Sequence, residues 1–264
     1  MNRPEFDPAD DLNRVASIDY NELLAPIVAQ RTESPIIRRS TAQDVEAMLE
    51  PEWSTDGGEL RTIVTAVVDA LNQYPRRNSH PGFFGWIAPS GVGTDALSSA
   101  MTALYNENVG GYWASPVGVT VENLVLRWLI ELTGLPHSSE GVLLSGGSMA
   151  NTTAMAASLA RKYGPELRER GLIACSGGKP PTVLCSRAAH FSIQRAGALL
   201  GIGLDNVIAV DVDEQFCMRS DALAAALREY PNTCCVVGTA GTTNTGAIDP
   251  LTTIADLCAA HNVW

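Results

Sequence analysis

From Gly141 onward the chain alternates short apolar runs with amphipathic ones, a rhythm that few folds satisfy. Strands are predicted over residues 142–144, 182–185, 207–210 and 234–237, and helices over 148–163, 191–200, 221–230 and 250–261. Repeated β-α units of this kind imply an α/β fold, a mostly parallel sheet covered by helices. Helix starts are marked by Ser220 as a candidate N-cap and by Asp249-Pro250, which puts an acceptor at the cap and proline at the first helical position. Val263 and Trp264 read as the opening of another strand.

The preceding sequence is different in kind. Residues 1–78 are polar and irregular, with helical patches at 20–30, 41–49 and 60–72, and are expected to form a helical N-terminal arm. Residues 79–113 are rich in Gly, Pro and aromatics, a composition of shaped loops. A helix follows in which Val121, Leu124, Val125, Trp128, Leu129 and Leu132 recur at three- and four-residue steps before Gly134 and Pro136 stop it, so this stripe is expected to be buried.

Composition narrows the function classes. The net charge of -11 disfavours sequence-independent nucleic-acid binding, which needs clustered Lys and Arg. No apolar run is long enough to span a bilayer, and the first eleven residues carry neither the basic end nor the apolar stretch of a secretory signal, so a cytoplasmic location is expected. The six cysteines form no C-x-x-C pair and are read as buried reduced thiols, with no metal site expected. Only two lysines exist, Lys162 and Lys179.

Three polar loops fall where strands end. Residues 141–151, reading GVLLSGGSMAN, pass from a predicted strand through two glycines into a helix. The free N–H groups and dipole of that helix start would suit a phosphate; equally, a tight turn would need glycine for its backbone alone. The nucleotide P-loop is excluded, because Ser148 stands where its lysine would be. The hydrolase elbow G-x-S-x-G is missed by one residue, Ala150 occupying the last place, which leaves a serine hydrolase built on Ser148 as a distant reading. His190 sits after the second strand, as a ligand-edge histidine or a structural one, and residues 238–246 place hydroxyls and glycines after the fourth.

Read together, His80-Pro81-Gly82-Phe83-Phe84-Gly85, Asn106-Glu107-Asn108, Ser115-Pro116, the 141–151 segment, Ala189-His190-Phe191-Ser192 and the run from Gly241 to Asp249 resemble the group II pyridoxal-phosphate-dependent decarboxylases, which include the aromatic-amino-acid, histidine and glutamate decarboxylases. The resemblance spans residues 79–264 and implies a fold-type-I, aminotransferase-like large domain there, part of a homodimer acting on a small-molecule amino acid. It implies that Gly147 and Ser148 hold the phosphate of pyridoxal 5'-phosphate. His190 would stack on the pyridine ring as the catalytic histidine, Thr242 would lie near the phenolic oxygen, and the loop from His80 to Ser90 would shape the substrate pocket. Members of the family continue past the equivalent of Trp264 with a strand carrying the aspartate that pairs with the pyridinium nitrogen, and then with a Schiff-base lysine. Neither is expected within this sequence: Lys162 and Lys179 read as solvated, and Asp249 as a helix cap. The large domain is therefore expected to be incomplete and the chain inactive alone. The other reading is a catalytically silent α/β protein that binds a phosphate ligand or a partner.

Overall fold

A computed structural model describes residues 35–52 and 57–264, so the helical patch expected at 20–30 lies outside the described residues. The chain divides between Tyr105 and Asn106 into two compact units.

In the first unit, α1 (Ala42–Leu49) begins at a capping box in which Thr41 and Asp44 satisfy each other's backbone N–H groups. Helix α2 (Leu60–Gln73) is capped by the Glu59 carboxylate, which accepts from the N–H groups of Arg61 and Thr62. Both helices stand where the periodicity placed them. Helix α3 (Gly93–Tyr105) does not follow from the loop-like composition of 79–113. Its own residues from Thr94 to Tyr105 contain neither Gly nor Pro, and the breakers that obscure it lie on its flanks.

The second unit is built on a three-stranded parallel sheet of β1 (Thr182–Ser186), β2 (Val207–Val210) and β3 (Thr233–Val237), in the order β2-β1-β3. Every residue of the central β1 is buried. Because successive side chains of a strand point to opposite faces, β1 feeds two cores. Val183 and Cys185 join Met155, Leu159, Ile193 and Ala196 from α5 (Gly147–Tyr163) and α7 (Ser192–Leu199). Leu184 points the other way, into Leu223, Leu227, Ile254 and Cys258 from α8 (Ser220–Glu229) and α9 (Leu251–His261). Burying each such leucine is worth about 2 kcal/mol. Helix α7 reaches β2 closely because Gly197 has no side chain: a Cβ there would come within 2.5 Å of Val207. Between α5 and β1 lies α6 (Glu166–Cys175), kinked at Gly171.

Four local expectations are corrected. Residues 142–144 form no strand; they find no sheet partner among the described residues, and Leu143 instead donates its N–H to the Glu122 carboxylate at 3.0 Å. Helix α4 (Pro116–Thr133) ends at Gly134 as expected, in the left-handed conformation, yet it buries no residue fully, and Trp128 and Leu132 are 63% and 82% exposed. Its apolar stripe therefore meets solvent within this unit rather than a core. Ser220 is the first residue of α8 and Arg219 precedes it at the cap, with no side-chain capping bond. At α9 the cap is Pro250, because the Asp249 carboxylate is engaged elsewhere. The strand expected to open at Val263 is visible in its hydrogen bonds: Trp264 donates its N–H to Cys234 O and accepts from Val236 N–H, continuing the parallel ladder along the outer side of β3.

Four of the six cysteines, Cys185, Cys234, Cys235 and Cys258, are buried, and all six are free thiols. Burial pushes the Cys185 thiol up to about 11, which keeps it protonated at neutral pH. Among the described residues no group of three or more His, Cys, Asp or Glu side chains could hold a metal ion, and no helix is long and apolar enough to cross a membrane.

Candidate cofactor site

Neighbouring parallel strands run in the same direction, so the loops leaving β1 and β3 emerge at one edge of the sheet. The first loop carries His190 and the second carries Thr242. Helix α5 brings its N-terminus beside the start of α7, since Asn151 in its second turn donates Nδ2 to the hydroxyl of Ser192, the first residue of α7, at 2.8 Å.

The start of α5 is an open cradle. Gly146 caps it without any side-chain bond, at φ 151°, a backbone region that side-chain-bearing residues rarely enter. The first helical bond is made by Ala150 N–H to Gly146 O, which leaves the N–H groups of Gly147, Ser148 and Met149 without a backbone acceptor among the described residues. A Cβ built on Gly147 would meet nothing within 4 Å, so packing does not demand glycine there, and the space is one a ligand oxygen could use. Gly147 and Ser148 are both exposed. The arrangement fits a phosphate: three converging donors at the positive end of a helix of 17 residues. It does not resemble a hydrolase elbow, because no described histidine is bonded to the Ser148 hydroxyl.

His190 is exposed, with its ring centroid 4.0 Å from that of Phe191. Its Nδ1 faces back into the protein, where the Ser192 N–H donates to it at 3.2 Å. Thr242 differs, being 5% exposed with its hydroxyl turned into its own loop: it lies 2.6 Å from the Thr245 hydroxyl and accepts from Ala247 N–H at 3.2 Å. His80 and Ser90 belong to the first unit. His80 is half-buried and accepts from Gly82 N–H through Nδ1 at 2.9 Å, while Ser90 is exposed. Nearby, the Arg76 guanidinium lies 4.1 Å from the Trp86 ring.

Asp249 is the residue whose role the sequence misassigned. It is 2% exposed, and its two carboxylate oxygens accept from Met218 N–H at 2.7 Å and Thr239 N–H at 2.8 Å, while its own N–H donates to Thr239 O. The carboxylate thus closes both ends of the Thr242 loop and ties it to the segment before α8. Asn151 and Ser192 were visible within motifs but had no role; the helical spacing that sets Asn151 four residues after Gly147, on the same face of α5, is the signal that could have singled it out.

Residues 43–264 match the model of the pyridoxal-dependent decarboxylase conserved domain. The chain is 33% identical to human acidic amino acid decarboxylase GADL1 over 228 residues, covering 84% of this chain and 42% of that protein. It is 34% identical to mouse cysteine sulfinic acid decarboxylase over 230 residues, covering 84% of this chain and 45% of the relative. It is 39% identical to L-2,4-diaminobutyrate decarboxylase of Rhizobium meliloti (strain 1021) over 182 residues, 67% of this chain and 34% of that one. The crystal structure of mouse CSAD superposes with a TM-score of 0.84 at 27% identity, covering 98% of this chain and 54% of that chain. The chain thus spans less than half the length of these curated relatives. A fold-type-I arrangement of helices on a parallel sheet and a family match over residues 43–264 place the chain in the pyridoxal-dependent decarboxylase family.

Proposed function

We propose that the chain is the N-terminal, cofactor-holding part of a cytoplasmic, homodimeric L-amino-acid decarboxylase. The observation that carries this reading is the α5 cradle, three N–H groups without a partner among the described residues, beside the loop that bears His190. When bound, pyridoxal 5'-phosphate supplies an electron sink that lets carbon dioxide leave a substrate amino acid. Gly147 and Ser148 hold its phosphate, and His190 offers a flat ring to its pyridine face. Asp249 and Thr242 keep the neighbouring loop in shape near the phenolic oxygen, and the loop from His80 to Ser90 contributes to the substrate pocket. The relatives' names span acidic, diamino and aromatic amino acids, so the substrate class proposed is an amino acid and no narrower.

The anchoring lysine and the aspartate for the pyridinium nitrogen are, in this proposal, supplied by polypeptide beyond Trp264, and the chain by itself is inactive. The placement of the two lysines supports this. Lys162 lies 15 residues after Gly147 on α5, about 22 Å along the helix. Its Nζ donates to Thr233 O, at the start of β3 and so at the opposite edge of the sheet from His190 and Thr242. Lys179 is exposed just before β1, at that same opposite edge. Borohydride reduction in the presence of pyridoxal phosphate, followed by peptide mapping, tests the proposal. The expected result is no stoichiometric label on Lys162 or Lys179, and a single labelled lysine outside residues 1–264 once the downstream polypeptide is supplied. Stoichiometric labelling of Lys162 or Lys179, with carbon dioxide released from an amino acid, would overturn it.

A further inference from the structure

The exposed His190 ring is held from behind by a short chain of polar groups. Ser192 N–H donates to Nδ1 at 3.2 Å, and the Ser192 hydroxyl lies 2.9 Å from the same nitrogen. Asn151 donates its Nδ2 to that hydroxyl at 2.8 Å. A backbone N–H can only donate, so Nδ1 presents a lone pair and the ring proton of the neutral imidazole sits on Nε2. The hydroxyl agrees with this: with Asn151 donating to its oxygen, its own hydrogen points at Nδ1. Ser192 is 1% exposed, and a hydroxyl buried that deeply stays only with its partners in place. On the other side the Phe191 ring backs the imidazole and is itself covered by the Arg195 guanidinium, 4.4 Å from its centroid.

We infer that Asn151 and Ser192 are positioning residues that hold His190 in one rotamer and one tautomer, leaving Nε2–H as the only ring N–H able to donate to a ligand; this rests on the reading of His190 as the residue that meets the cofactor. A stacking histidine free to flip would present its donor in two places. Here the second turn of the phosphate-binding helix fixes the ring through one serine, so the cradle and the histidine are set by the same element.

The test is a long-range proton–nitrogen NMR spectrum of the full chain labelled with ¹⁵N-histidine, at a pH of about 8.5, roughly two units above the ordinary imidazole value. His190→Gln identifies the signal among the four histidines. The expected spectrum shows a pyridine-type Nδ1 and a pyrrole-type Nε2. Asn151→Asp, nearly isosteric at a half-buried position, would take the serine hydrogen and turn the hydroxyl oxygen toward Nδ1, shifting the tautomer ratio about fivefold toward Nδ1–H. Ser192→Ala should lose a similar share of the preference and Ser192→Thr should keep it, with the His137 and His261 signals unmoved in each. A mixture or an Nδ1–H form in the unmodified chain overturns the inference, as does an unchanged ratio in both Asn151→Asp and Ser192→Ala. The spectrum is recorded without pyridoxal phosphate, so the two readings separate. A locked ring that ignores added cofactor supports the positioning inference and counts against stacking, whereas a mixed ring that responds to cofactor does the opposite.

Discussion

Replacing Gly147 by valine is expected to weaken pyridoxal phosphate binding at least tenfold, about 1.4 kcal/mol, while leaving the fold intact. Gly147 is the first helical residue of α5 with no positive φ, so a side chain there costs the backbone little. Its Cβ would meet no protein atom within 4 Å, so the cost of a β-branched side chain there would fall on a ligand at the helix start rather than on the packing of the chain. Gly177→Val is the control, because Gly177 is also unobstructed but lies in the loop after α6 at φ 63°. That substitution should cost stability through its backbone and leave binding unchanged. Equal losses of affinity at the two positions would remove the cradle from consideration.

The second large effect belongs to Asp249. Asp249→Ala would leave the N–H groups of buried Met218 and half-buried Thr239 without their acceptor, at about 1–3 kcal/mol each. The expected loss is about 3–5 kcal/mol in urea unfolding, or roughly 10 °C in Tm for a chain of this size. Asp249→Asn should recover only part of it, since its amide keeps one acceptor oxygen and turns a donor against the other N–H. A loss under about 1 kcal/mol for Asp249→Ala would show that the loop is held by other contacts.

Asp249 also shows where sequence reading runs out. Asp-Pro before an apolar helix satisfies every local rule for a cap, and the carboxylate was captured by two N–H groups, one of them 31 residues away in the chain. Local rules cannot register so distant a donor. The strands β1, β2 and β3 were legible because a buried parallel strand must be a short apolar run, and α5 to α9, apart from α6, because their apolar faces recur at helical spacing. The same rules failed for residues 142–144, which have the composition of a strand but no ladder partner among the described residues, and for the burial of α4, where the stripe is present and its cover is not within the unit. At the site, the place of His190 could be read directly from the order strand, loop, helix, whereas the glycines at the start of α5 could be read only from the helix they begin, since no strand precedes them among the described residues. The Thr242 hydroxyl could not, because its bonds to Thr245 and Ala247 depend on how one loop folds on itself.

The most direct measurement follows the backbone amide signals of the ¹⁵N-labelled chain as pyridoxal 5'-phosphate is added, with unphosphorylated pyridoxal as the comparison. The Gly147, Ser148 and Met149 amides should shift together and saturate at one concentration, because a phosphate at the helix start accepts from all three, while Gly177 and Gly178 stay still and pyridoxal produces a small response. Shifts centred elsewhere, or an equal response to pyridoxal, would contradict a phosphate held at the start of α5.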